Sequence, residues 1–378
     1  MPSILGLLSS LLLLQTQLVT PPVSVTQQEV PVNQTQVLPQ ATHASQTATA
    51  ASASADEAVS IAEESYVPKV LAYYVEYSEN DQRSYSSLSS YSSYISDISV
   101  AMFNATAEGS LNGRVPAAAL ELAHSHQINA YLCLTNHGEK LFDKRIAHAI
   151  LTNPEAQSRL IGALLETVKK HRFAGVNLDF ENVPASDRDA YTQFVKQLAE
   201  RLHQQKKQLI VSVPAKTADL PSHSWTYGFD YAGIGRYSDY VQVMTYDQHG
   251  PWSEAGPVAA YPWVDQVVGY TASQIPAEKI LLGIPSYGYE WSPTRDRAVT
   301  YTALPDLIKR TGAQSNWDEG SQSPYLTYTT GDGSHIVWYE DERSIDAKQQ
   351  LAKSSQLAGY GVWRLGFEDA SFWNALLE

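Results

Sequence analysis

Eight short apolar runs recur along residues 66–378, most of them separated by stretches with helical patterning. They are KVLAYYVEY (69–77), ISVAMFNA (98–105), NAYLCLTNH (129–137), GVNLDFE (175–181), QLIVSVPAK (208–216), YVQVMTYDQH (240–249), KILLGIPSYGYEW (279–291) and YGVWRLGFED (360–369). Two of the intervening stretches are NPEAQSRLIGALLETVKKHR (153–172) and SDRDAYTQFVKQLAERLHQQ (186–205). In the first, Leu160, Leu164, Leu165 and Val168 recur at helical spacing, with Asn153 as the cap and Pro154 in the first turn. A strand that returns to the same sheet through a helix must run parallel to its predecessor. Eight such units in roughly 300 residues predict an α/β fold, a closed (β/α)8 barrel rather than an open sheet. About fifty residues after Trp291, including YLTYTTGDGSHIVWYED (325–341), break the alternation and read as a small inserted α+β lobe after strand 7, beside the barrel mouth.

Composition narrows the function. With 378 residues and 43% hydrophobic content the chain can bury a large core, and a net charge of -14 excludes nucleic-acid binding as its main activity. Cys133 is the one cysteine, so neither an intrachain disulfide nor a Cys-based metal site can form, and a buried inert thiol is expected. The 8 Trp and 23 Tyr suit a carbohydrate-binding cleft and an ordinary core alike. The amino-terminal region differs in kind. Residues 1–19 contain ILGLLSSLLLL, an apolar run of signal-peptide length, and no small-x-small cleavage site near LVTPPVS, so an uncleaved membrane anchor is the alternative. Export to the periplasm, the cell envelope or the medium is expected, with a flexible Gln/Thr/Ser/Ala/Pro-rich linker over 20–65, a catalytic barrel over 66–378, and a monomer.

The segment AGVNLDFENV (174–183) carries the chemistry. Side chains alternate along a strand, so Asn177, Asp179 and Glu181 share one face while Val176, Leu178 and Phe180 share the other. In a barrel the polar row points inward, where unpaired carboxylates are costly. Glu181 falls at the C-terminal end of its strand, where barrel active sites lie.

GVNLDFE resembles the signature strand of glycoside hydrolase family 18, a D-x-x-D-x-D-x-E pattern whose last two acidic positions fall on Asp179 and Glu181. VMTYD (243–247) resembles that family's sixth strand, LLGIPSYGYEW its seventh and GVWRLGFED its eighth. The closest flavour is the bacterial branch that trims N-acetylglucosamine polymers such as peptidoglycan or exopolysaccharide. Two positions depart from the pattern: Ala174 stands at the first acidic place and Asn177 at the second.

The resemblance implies a retaining, substrate-assisted hydrolysis through an oxazolinium intermediate, with Glu181 as general acid and base. Asp179 would hold the acetamido N–H and raise the pKa of Glu181. Tyr246 and Asp247 would bind the acetamido carbonyl and the hydroxyls of the same sugar. Trp363 would form the floor under it, Met244 would pack the pocket, and Asn177, Tyr73 and Tyr77 would line the cleft. No cofactor is implied, and the pair His124 and His126 lacks metal-site spacing. The alternatives are a weakly active or inactive lectin-like protein of the same fold, or a scaffold whose long linker is the functional part. Endo and exo cleavage both remain open, and the acidic charge suits a partly deacetylated, cationic glucosamine polymer.

Overall fold

The computed structural model describes residues 66–139 and 141–377; the expected signal or anchor and the linker lie outside the described residues. Eight strands close the expected barrel: β1 (Lys69–Tyr74), β2 (Asp97–Ala105), β4 (Asn129–Thr135), β5 (Gly175–Asp179), β6 (Gln208–Pro214), β7 (Tyr240–Met244), β8 (Ile280–Pro285) and β14 (Gly359–Trp363). A ninth, β3 (Leu111–Gly113), pairs antiparallel with β2 as a short hairpin. Every barrel pair is parallel, and β1 closes the ring by pairing with both β14 and β2. The ring closes tightly at the start of β5, where a Cβ on Gly175 would lie 1.9 Å from the Gln208 carbonyl oxygen.

The helix Pro154–Lys170 forms as its pattern predicts. The Asn153 side chain accepts from the N–H groups of Glu155 and Ala156, and the face carrying Leu160, Leu164, Leu165 and Val168 is buried. Each such leucine contributes about 1.5–3 kcal/mol through removal from water. The helix Arg188–His203 buries Tyr191, Phe194, Val195, Leu198 and Leu202 in the same way. Inside the barrel, Leu71, Tyr73, Tyr131, Cys133, Ile210 and Leu281 form a dry cluster against which Ala174 packs. The position of the missing carboxylate is thus filled by apolar contact.

The apolar run 279–291 is two strands. β8 ends at Pro285, where Ser286 anchors it: its N–H donates to the Trp363 carbonyl, and its Oγ accepts from the Arg364 N–H. The chain then enters the lobe as β9 (Tyr287–Trp291), followed by β10 (Arg297–Thr300), β11 (Gln314–Asp318), β12 (Ser323–Thr330) and β13 (Gly333–Trp338). These form an antiparallel sheet in the order β10-β9-β13-β12-β11. The lobe has its own core of Val299, Leu304, Leu307, Leu326, Val337 and Tyr339, which includes the helix Leu304–Thr311.

Candidate active site

The polar row on β5 occupies two levels. Asn177 is fully buried below the cleft, where it accepts from Ser99 Oγ at 2.7 Å and donates to Ser212 Oγ at 2.9 Å. The Tyr73 hydroxyl lies 2.8 Å from the same Ser212 oxygen and donates to Gln242 Oε1 at 3.2 Å. All the members of this network are neutral, so none of them offers a countercharge to the carboxylates above. Asn177 and Tyr73 are both buried in this network, and Tyr73 also packs against Trp363.

Asp179 stands one step higher. It is buried, its Oδ1 has no hydrogen-bond partner among the described residues, and its Oδ2 lies 3.9 Å from the Cys133 thiol. Burial pushes its carboxyl up to about 7, against the weak pull of the nearby Ser212 and Cys133. Glu181 lies two residues past the end of β5, half-buried in the cleft wall. Burial, and then the charges of Asp179 and Asp247, push its carboxyl well above the ordinary carboxylate range. Glu181 thus keeps its proton to higher pH than an ordinary carboxyl, the direction that suits a proton donor.

Tyr246 and Asp247 follow the end of β7. Burial, then the charges of Asp179, Asp247 and Glu181, hold the Tyr246 phenol well above its usual value, which places these four side chains in one electrostatic cluster. Gly283 makes room for the Tyr246 ring: a Cβ there would sit 2.9 Å from its Cε1. Asp247 has a left-handed backbone with φ 60°, and its Oδ1 accepts from the Tyr287 hydroxyl at 2.5 Å and the Tyr289 hydroxyl at 2.9 Å. Burial pushes the Asp247 carboxyl up, and these two hydroxyls pull against it. Met244, the last residue of β7, is half-buried on the same face as Gln242. Trp363, the last residue of β14, packs 5.2 Å from the Tyr73 ring and also against the aromatic cluster of Tyr287, Tyr289 and Trp291. Tyr77 lies past the end of β1, over the Arg364 guanidinium at 4.7 Å, at the rim beside Trp363.

Several contributors lie outside the residues singled out from sequence. Tyr287 and Tyr289 share a face of the PSYGYEW run, a signal present in their alternation. Trp252, 45% exposed and edge-on to Tyr289 at 5.7 Å, offers an open aromatic face beside Asp247. Asn136 bonds the backbone of Glu181 and has no sequence signal beyond being a polar residue at a strand end.

Glycosyl hydrolases family 18 matches this chain over residues 69–368, a span that contains every residue of the cluster. The chain belongs to this family. It is a family 18 glycosidase, and its relatives fit that assignment. An uncharacterized glycosylase of Bacillus subtilis (strain 168), YvbX, is 35% identical over 308 residues, covering 80% of this chain and 90% of that protein. The crystal structure of a chitinase from Chromobacterium violaceum ATCC 12472 superimposes with a TM-score of 0.77 at 36% identity, over 82% of this chain and 98% of that one. The spore cortex-lytic enzyme SleL of Bacillus megaterium QM B1551 superimposes with a TM-score of 0.77 at 26% identity, over 82% of this chain and 73% of that one.

Proposed function

We propose that this family 18 glycosidase cleaves β-linked N-acetylglucosamine polymers by substrate-assisted retention, with Glu181 as the acid and then the base. The observation that carries this reading is the unpartnered Oδ1 of buried Asp179, beside a Glu181 whose carboxyl burial and neighbouring charges push up. A buried acceptor without a donor is rare and points to a group supplied from outside. An acetamido N–H is such a donor, and Asp179 would hold it while the acetamido carbonyl oxygen attacks the anomeric carbon. The bond from that carbon to the leaving oxygen breaks as the oxygen takes the Glu181 proton. Water then opens the oxazolinium ring and gives a proton back to Glu181. The Tyr246 hydroxyl would orient the acetamido carbonyl, Asp247 the sugar hydroxyls, and Trp363 would lie against the apolar face of the ring.

Chitin and spore cortex, named for two of the similar structures, are both N-acetylglucosamine-containing polymers and fit this site. The apolar run at 4–14 supports action outside the cytoplasm, as an exported or anchored enzyme. The test is hydrolysis of a chromogenic N,N'-diacetylchitobioside and of purified peptidoglycan by wild type and Glu181→Gln. Turnover by wild type that collapses in the variant is expected; equal turnover by both would remove Glu181 from the mechanism.

A further inference from the structure

Glu181 has a positional problem that the barrel alone does not solve. The parallel ladder between β4 and β5 ends with Thr135 opposite Asp179, two residues short of Glu181. Immediately beyond it Asn182 takes a left-handed backbone, φ 53°, and the chain turns away. No hydrogen bond from a described residue contributes to holding the Glu181 carboxyl; only burial and neighbouring charges act on it. Its aim therefore depends on its backbone.

We propose that Asn136, backed by Asn104, is a positioning residue that fixes the Glu181 backbone and so aims the proton donor. The Asn136 side chain is fully buried. Its Oδ1 accepts from the Glu181 N–H at 2.9 Å, and its Nδ2 donates to the Glu181 carbonyl at 2.9 Å. These are the two bonds that a neighbouring backbone peptide would supply, so one side-chain amide extends the ladder past the strand ends. The device is repeated one strand over. Asn104 Oδ1 accepts from the His137 N–H at 2.6 Å, and its Nδ2 donates to the His137 carbonyl at 2.7 Å. Thr135 Oγ1 donates to the same Asn104 Oδ1 at 2.9 Å, and the Asp143 N–H donates to the Asn136 carbonyl at 2.9 Å. Glu181 is thus tied through Asn136 to β4, and the chain after β4 is tied through Asn104 to β2. A donor misplaced by about 1 Å costs on the order of 100-fold in rate.

This inference rests on Glu181 being the proton donor, and the test separates the two claims. kcat/KM, which reports events up to leaving-group departure, is measured for an unactivated chito-oligosaccharide and for a 2,4-dinitrophenyl chitobioside whose leaving group needs little protonation. The ratio of the two is taken within each protein sample, so the folded fraction cancels. Glu181→Gln sets the reference, with the oligosaccharide losing far more than the aryl substrate. Asn136→Ala is expected to move the ratio in the same direction by at least about 10-fold, and Asn104→Ala in that direction by less. Should the alanine variant not fold, the same ratio is read on Asn136→Asp, which keeps an acceptor for the Glu181 N–H and loses the donor to its carbonyl. A wild-type ratio in the Asn136 variant, with Glu181→Gln behaving as expected, overturns the positioning role alone. A wild-type ratio and rate in Glu181→Gln overturns the donor assignment and the positioning role together.

Discussion

Two regions of the molecule bury carboxylates and treat them in opposite ways. In the lobe, Glu290 is 1% exposed and accepts from Arg297 Nε at 2.6 Å, from His335 Nδ1 at 2.7 Å and from the Tyr328 hydroxyl. Burial pushes its carboxyl up, but these three partners outweigh burial and hold it below the ordinary range. In the cleft, Asp179 is also buried, feels only the weak pull of Ser212 and Cys133, and is pushed up to about 7, with Glu181 raised beside it. Burial raises both carboxyls, and around Glu290 the charged and hydroxyl donors reverse that shift. Glu290 ties neighbouring strands of the lobe together through these partners, whereas Asp179 and Glu181 are left with raised carboxyls.

The largest effect that would break this comparison is loss of turnover. Glu181→Gln is expected to lower kcat on polysaccharide by about 100- to 10,000-fold with an unchanged or raised melting temperature, whereas Glu290→Gln should keep wild-type turnover. Loss of activity in both would mean that the lobe carboxylate also serves the reaction. Next comes Asp179→Asn, for which a fall on the order of 100-fold in kcat is expected. Removing the negative charge also removes one of the influences that hold the proton on Glu181. The alkaline limb of the pH–rate profile should therefore move to lower pH, and an unmoved limb would uncouple the two groups.

Stability should separate the regions in sign. The folded-state pKa of Asp179 lies above its unfolded value, so its contribution is fully present below about pH 4 and is lost as pH rises through about 7. Glu290 is shifted the other way, and its contribution is present above its unfolded pKa and lost as pH falls through its lower folded value. Relative to wild type, Asp179→Asn should gain stability between about pH 4 and pH 7, while Glu290→Gln should cost about 1–3 kcal/mol at neutral pH and less in acid. Chemical denaturation across pH measures both slopes, and slopes of the same sign would contradict the partner argument. The smallest effect concerns Cys133, whose thiol is pushed well up by burial and then by Asp179. It should resist alkylation in the native protein, and Cys133→Ala should change kcat by no more than a few-fold.

Much of this was legible in the chain. The alternation of apolar runs and amphipathic helices specifies the barrel, and Asn153 with Pro154 marks a helix start that forms as written. The alternation in GVNLDFE also gives the face on which Asp179 and Glu181 lie. Face is not height, however. The level of each residue depends on how the strands stagger around the ring, which no single strand encodes. The partners of Asn177 and Tyr73 among Ser99, Ser212 and Gln242 are set by that stagger. Tyr77 was placed by an alternation that no longer applies past Tyr74, where β1 ends. The break at Ser286 was hidden because β8 and β9 are both apolar, and the bonds that separate them run to the distant Trp363, Arg364 and Tyr301. Asn136 was unreadable for the same reason, since its partner is 45 residues away.

The most direct measurement is a site-resolved carbon-13 titration of the side-chain carboxyls in the native protein, with the signals assigned from Glu181→Gln, Asp179→Asn and Glu290→Gln. Glu181 is expected to hold its proton through neutral pH and Asp179 to titrate near neutrality, while Glu290 loses its proton at acid pH. A Glu181 that ionises in the ordinary range of about 4–5, beside a Glu290 that behaves the same way, would contradict the claim that the cleft leaves its carboxyls raised.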